Sequence, residues 1–403
     1  MTPTCNLGSS SADLAPLGLR ALRAIPPASV TLGVGEVAAA LCRPNHDALD
    51  QFARGLCSAA GLPRAAFFGN GRSALAALLA ALAGGGADEV LVPAYTCWSV
   101  ASSAARAGLK LRLADVDPET LDVRLDDGWR SPRLAAAVGG HLFGRSVDVA
   151  RMGAALRAGA PGVPFIEDAS QAWPESGGGA DFVLLSFARG KLFPLGGGGA
   201  LLGGDLVSSL GATPRSGGWG RAAALFATIA LGRPPFFGLL QGVRFLGVGA
   251  TVFDPRFAPA PRFHRWQARL ALRRLPSLPD DRRARGEVAR ALRSFVPNAA
   301  GWRVPRLRDD DGWIRFPVLA PDRSARDRAL ASLRRQGVWA TTMYPACLAD
   351  VPEIAPWLAA RQPPLTGART LADRLLTLPV SPTFPPRVVE FVGDALARAA
   401  RGK

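Results

Sequence analysis

The chain has 403 residues, 48% of them hydrophobic and 20% charged, and carries a formal net charge of +16. That balance describes a globular chain with room for two domains and excludes a disordered or collagen-like polymer. The positive excess is arginine spread along the chain, with no zinc-finger, RNP or lysine-rich signature, so the expected partners are anionic small molecules and not nucleic acid.

Residues 1–45 read as an N-terminal arm, 46–260 as a large α/β domain and 261–403 as a small α+β domain. The arm lacks the charged start and apolar core of a secretory signal. Five cysteines (Cys5, Cys42, Cys57, Cys97, Cys347), odd in number and without a C-x-x-C pair, suit a reducing cytoplasm and predict neither a disulfide framework nor a metal site. In the arm, "SVTLGVGEVAAAL" (29–41) fits G-x-G-x-x-A after a possible strand. A dinucleotide site also needs a second strand ending in an acid about 20 positions on. Here "NHDALDQFARGL" (45–56) reads as helix, which argues against a nicotinamide enzyme.

"FFGNGRSALAALLAALAGGG" (67–86) is a glycine turn opening a strong helix, whose free N–H groups and positive end suit a phosphate. Strands follow at 89–95 and 110–116, with a helical "CWSVASSAARAG" between them. "LAAAVGGHLFG" leads to a helix near 147–158, then to a strand at 163–168; "ADFVLLSFA" and "GALLGGD" add two more strands. Short apolar strands alternating with helices predict a mostly parallel sheet covered on both faces. Ligands in such sheets sit at the strands' carboxyl ends. Asp168 ends one strand, Ser186 lies near the end of another, and Lys191 follows in the next loop.

The most apolar stretch, 222–250, is cut by Arg233, Pro234 and Pro235, leaving neither half with the ~20 residues a spanning helix needs. It predicts a helical hairpin packed on the body or a partner subunit, with a shallow membrane-surface contact as the alternative. "RFHRWQARLALRRLPSL" looks helical; "GWIRFPVLA" (312–320), a helix around 323–335 and "GVWATTMYP" (337–345) build the α+β piece, closed by helices near 366–376 and 387–401.

Lys191 stands out because the chain has three lysines (Lys110, Lys191, Lys403) in a Lys+Arg total of 48, hence 45 arginines. A guanidinium never loses its proton, whereas a lysine amine can be tuned into a nucleophile. A phosphate site, an aspartate at a strand end and a lone lysine 23 residues later together suggest a cofactor with a phosphate, a basic ring nitrogen and an aldehyde. Pyridoxal phosphate has all three.

At these residues the chain resembles the DegT/StrS-type aminotransferases, pyridoxal-phosphate enzymes of the aspartate-aminotransferase fold (fold type I). The matching segments run in family order across roughly 50–385: "GNGRSALAALLAAL", "VLVPAYTCWSVASSAARAGLKLRLADVDPETLDV", "HLFGRSVDV", "PFIEDASQA", "SFARGKLFPLGGGGALL", "YPACL" and "RLLTLPVSPTF". The resemblance implies a seven-stranded type of sheet sandwiched by helices. It implies that Lys191 bonds to the cofactor and shuttles the proton, and that Asp168 pairs with the ring nitrogen. Gln171, one helical turn on, would lie by the ring. Ser186 and the backbone of Gly71 and Arg72 would form the phosphate cup. Arg72 stands where the family has a small Thr or Ser. Cys97 stands where a ring-stacking aromatic belongs, so Trp98 or Tyr95 would substitute.

Ala260 and Pro261 replace an asparagine that reaches a neighbouring subunit's phosphate, and the glycine run Gly196–Gly199 lacks a common glutamate. Tyr95 and Tyr344 are either site residues or core, and His141 reads as structural. The resemblance implies amino transfer from an amino acid, glutamate in most of the family, to a keto-sugar carried on a nucleotide. It also implies a homodimer in the cytoplasm. The alternative is a member with a non-sugar substrate or a regulatory, binding role.

Overall fold

The computed structural model describes residues 24–27, 31–125, 128–145, 147–174, 179–211, 217–231, 252–259, 262–296, 301–306 and 311–401. Helices α1 (Val34–Cys42) and α2 (Ala48–Ala60) precede strand β1 (Arg64–Phe68) and helix α3 (Gly71–Leu82). Then come β2 (Glu89–Pro93), α4 (Trp98–Arg106), β3 (Lys110–Val116), β4 (Val123–Arg124), β5 (Leu134–Gly140), α5 (Val149–Gly159), β6 (Phe165–Asp168), β7 (Phe182–Ser186) and β8 (Gly199–Gly203). After α6 (Asp205–Leu210) and α7 (Trp219–Leu231) come α8 (Arg265–Arg274), α9 (Leu278–Arg293), β9 (Arg315–Leu319), α10 (Arg323–Arg335), α11 (Thr366–Arg374), β10 (Leu375–Pro379) and α12 (Pro386–Ala400).

The main sheet has eight strands in the order β1-β8-β7-β6-β5-β2-β3-β4. Strands β7, β6, β5, β2 and β3 pair in parallel, and β8 and the two-residue β4 run against their neighbours. The expected seven-stranded type thus carries one extra two-residue strand at its edge. Alternate side chains feed opposite cores: Val90, Val92 and Leu184 join one, while Leu91, Val183 and Leu185 join those on the other face. Both faces are covered, which is why the strands are continuous apolar runs. Strands β9 and β10 form a separate antiparallel pair, yet Phe316, Val318 and Leu378 belong to the first core.

Several expectations are corrected. The stretch 29–41 holds helix α1, with no strand in its described part. Residues 169–172 form a turn and not a helix, closed by Ala172 N–H on the Ala169 carbonyl. The stretch 337–345 makes only isolated bridges, Val338 with Ile25 and Thr341 with Thr377. Of the apolar 222–250 stretch, helix α7 packs Ala222, Leu225 and Ile229 into a core and leaves Trp219 exposed, and 232–250 lie outside the described residues. No helix among the described residues is long and apolar enough to cross a membrane.

Candidate active site

Because β6 and β7 are parallel, Asp168 and Ser186 emerge from the same edge of the sheet. At that edge Ser186 lies opposite Gly199, the first residue of β8, which also faces Phe68 at the end of β1. The chain leaving β1 therefore passes Ser186 as it enters α3.

Asn70 caps α3, its side chain accepting the Ser73 N–H at 2.7 Å. The preceding N–H groups, of Gly71 and Arg72, belong to the first turn of α3, where no helix carbonyl precedes them. They stand beside Ser186: a Cβ on Gly71 would lie 3.3 Å from Ser186 Cβ. A Cβ on Gly199 would lie 2.6 Å from the Gly71 nitrogen, a separation that backbone cannot tolerate. Two glycines are required for the strand and the helix start to meet, and the result is a hydroxyl and two N–H donors around one concavity.

The Arg72 guanidinium is turned onto the Phe257 ring, 4.2 Å from its centroid, where Arg106 also stacks at 5.0 Å and donates to the Phe257 carbonyl. Arg72 thus faces the cup with its backbone. Arg221 adds a further cation nearby, donating to the Gly69 carbonyl at 3.1 Å.

Lys191 is half-buried in the loop that joins β7 to β8. That loop folds on itself: Leu195 and Gly197 both donate to the Phe187 carbonyl, and Phe187 donates to that of Gly198. Gly196, Gly197 and Gly198 all have positive φ (75, 113 and 100), so the glycine block is a conformational requirement. Gln267, fully buried on α8, locks it with donations to the Leu195 and Gly197 carbonyls, each 2.8 Å. The Lys191 ammonium has no hydrogen-bond or ion-pair partner among the described residues.

Asp168 is half-buried and accepts the Ser170 N–H through Oδ1 at 3.0 Å. Beside it the buried Gln171 accepts the Phe143 N–H (3.0 Å) and donates through Nε2 to the Tyr344 hydroxyl (2.8 Å). Burial, then the nearby Cys97, Tyr95 and Asp168, hold the Tyr344 phenol well above its ordinary range, so it stays protonated. Phe143 and Met343 have left-handed φ values of 63 and 58, so strained backbone flanks both of the Gln171 partners.

Tyr95 is fully buried, meets Tyr344 edge-on and donates to the Thr342 carbonyl at 3.1 Å; it is core and not available for stacking. Trp98, first residue of α4, is half-buried and its indole N–H is buried without a partner among the described residues. Cys97 accepts from the Ser99 hydroxyl at 3.0 Å. His141 is a tether: Nδ1 accepts the Val147 N–H, which leaves Nε2 to donate to Glu167 at 2.8 Å. Among the described residues no His, Cys, Asp and Glu group is arranged to hold a metal ion. Ala260 and Pro261 lie outside the described residues.

The site therefore offers an anion cup, a carboxylate and an amine at one sheet edge. Those donors fit the phosphate, ring nitrogen and aldehyde of pyridoxal phosphate. Reasoning from sequence missed Asn70, Gly199, Arg221 and Gln267. Of these only Asn70 carried a signal, a capping residue set directly before a helix.

A "Pleiotropic regulatory protein" of Geobacillus stearothermophilus is 25% identical over 350 residues, 83% of this chain and 84% of that protein. The dTDP-3-amino-3,4,6-trideoxy-alpha-D-glucose transaminase of Streptomyces venezuelae is 26% identical over 330 residues, 78% and 76% of the two chains. Among solved structures, the Helicobacter pylori aminotransferase PseC superposes with a TM-score of 0.71 at 17% identity, covering 94% of this chain and 100% of that one, which shows a shared fold. Residues 40–207 and 249–397 match one family over most of the chain. The chain belongs to the DegT/DnrJ/EryC1/StrS aminotransferase family.

Proposed function

We propose that this aminotransferase moves an amino group from an amino-acid donor, glutamate, to the carbonyl of a nucleotide-linked keto-sugar. The observation that carries the reading is that Asp168, Ser186 and the first turn of α3 lie at one sheet edge, with Lys191 in the loop that follows Ser186. The sugar part draws on relatives such as the transaminase of dTDP-3-amino-3,4,6-trideoxy-alpha-D-glucose. When bound, pyridoxal phosphate supplies the aldehyde that takes the amino group and the ring that accepts electrons from the reacting carbon.

The chain's own residues do the rest. Ser186 and the N–H groups of Gly71 and Arg72 hold the phosphate, aided by the positive end of α3. Asp168 would pair with the ring nitrogen and favour its protonated form. Trp98 would cover a ring face, in place of the aromatic expected where Cys97 stands. Gln171, fixed by Phe143 and Tyr344, would border the ring. Lys191 both bonds reversibly to an aldehyde and takes and returns a proton, which arginine cannot do.

Residues 46–260 act as the cofactor-binding unit and 261–403 as a smaller unit beside it. The enzyme works as a homodimer in the cytoplasm, where the free Cys42, Cys57, Cys97 and Cys347 stay reduced. One relative's name is regulatory, so a binding role is the second reading. Purified protein supplied with pyridoxal phosphate and glutamate, then screened against nucleotide-linked keto-sugars, separates the two. Amino-sugar formation supports the enzyme reading, and failure to consume any amino donor contradicts it.

A further inference from the structure

A cleft of about 940 Å³ opens at the edge of the sheet where the parallel strands begin. Glu89 and Lys110, the first residues of β2 and β3, line it together with Arg112, which shares a strand face with Lys110. Asp168 and Ser186 lie instead where β6 and β7 end, so the length of a strand such as β3, about 20 Å, separates the cleft from the cofactor cup. We infer that this cleft is a second ligand site, for the phosphates of a nucleotide-sized molecule. The inference stands apart from the aminotransferase reading.

The cations are held in place before any ligand arrives. Arg112, its side chain 11% exposed, donates through Nε to Glu89 at 2.7 Å. Its Nη1 donates to the carbonyls of Arg361 and Gly128, at 3.2 and 3.3 Å. Its Nη2 has no acceptor among the described residues. The ammonium of the exposed Lys110 is anchored on the Pro356 carbonyl at 2.7 Å and lies 5.8 Å from the centre of the Trp357 ring. Arg361, also exposed, lines the same cleft. Glu89 pairs with Arg112 and the neighbouring Asp88 with Arg133, and no carboxylate among the described residues pairs with Lys110 or Arg361.

Both walls are stiff. Gln362 accepts the Leu113 N–H at 2.8 Å and donates to the Leu111 and Ala359 carbonyls at 2.9 and 3.0 Å, which fastens 359–362 along β3. Pro363 and Pro364 stiffen that wall, and Pro132 the wall formed by 128–133. Charges fixed on such walls lose little freedom on binding, and that loss is what makes an ordinary surface ion pair weak. Size selects the ligand class: the cleft is at the upper end of small-molecule sites, ~300–1,000 Å³, and a lone phosphate would leave most of it empty. Phosphoryl oxygens suit Lys110, Arg112 and Arg361, while Leu358 and the prolines give an apolar wall to the remainder of the molecule.

The test uses holoenzyme saturated with pyridoxal phosphate, so that the cup is filled. Calorimetry measures the binding of UDP and of inorganic pyrophosphate, and hydrogen exchange read by mass spectrometry locates it. UDP should slow exchange in 110–113 and 358–364, and should bind more tightly than pyrophosphate. Lys110→Ala combined with Arg361→Ala should abolish that protection and weaken UDP by about tenfold or more. The melting curve should stay unchanged, since both side chains are exposed. Arg64→Ala, which removes an exposed cation from β1 at the other end of the sheet order, should leave affinity within about twofold. Equal weakening by Arg64→Ala would reduce the effect to net charge and overturn the inference. So would protection confined to α3 and β7, or no binding of either probe at millimolar concentration. Pyrophosphate binding as tightly as UDP would contradict a nucleotide-sized ligand. A protein that transfers no amino group yet shows the UDP protection at 358–364 would sink the aminotransferase reading and keep this site.

Discussion

Gln171 and Tyr344 are joined by a hydrogen bond of 2.8 Å, amide Nε2 to phenol oxygen, across 173 positions of sequence. The contact ties the turn after β6, where Asp168 sits, to the segment leading toward β10. It is dry on both sides, since the two residues are 6% and 3% exposed. Tyr344→Phe leaves a buried amide donor unmet, which should lower unfolding free energy by about 1–3 kcal/mol in urea titration. The donor half-reaction should slow as Gln171 loses its anchor. Unchanged stability would show that Gln171 finds another acceptor at no cost.

Replacing Asp168 with Asn keeps the shape and removes the charge. Its backbone carbonyl still accepts the His141 N–H, so the fold and much of the cofactor binding should persist. Amino transfer should fall by about a hundredfold or more, in the manner of a removed transition-state charge. Near-normal turnover would mean that another group serves the ring nitrogen.

Gly199→Ala tests the cup. Its new methyl would press on Gly71 nitrogen and on Asn70 carbonyl carbon at 2.6 and 2.8 Å, so the start of α3 must shift away from β8. Weaker retention of pyridoxal phosphate on dialysis, together with a lowered melting temperature, is the expected pair of results. Full retention would place the phosphate elsewhere.

A pH effect follows from Cys347. Burial pushes its thiol up to about 11, above its ordinary value in an unfolded chain. The folded state therefore holds the proton more tightly, and the stability this gives is present at neutral pH and lost as pH rises through 9 toward 11. Urea midpoints should fall over that window, and less steeply in Cys347→Ala. Equal slopes would contradict the assignment. The neutral, buried thiol should also resist alkylation at pH 8 in the native state.

Much of this arrangement was legible beforehand, and the reason is burial. Strand β3 and helix α10 fall at 110–116 and 323–335 as read, because sustained apolar periodicity leaves little choice. Asp168 and Ser186 were visible as polar residues ending apolar runs, and Lys191 by its rarity. Strand β1 was missed, since "RAAFF" is short and runs straight into the glycine turn. Side-chain direction is not written in local pattern. Nothing near Arg72 announces that its guanidinium would stack on Phe257, 185 positions away.

The central claim is that Lys191 is the amine that bonds to pyridoxal phosphate, and borohydride reduction tests it most directly. Reduction of the yellow holoenzyme freezes the carbon–nitrogen link as a stable amine, and peptide mass mapping then finds the residue that bears it. The account expects the added mass on Lys191 alone, and none in a Lys191→Arg variant that still binds the cofactor noncovalently through Asp168 and the phosphate cup. Modification of Lys110 or Lys403, or an unmodified protein that nevertheless transfers amino groups, would contradict it.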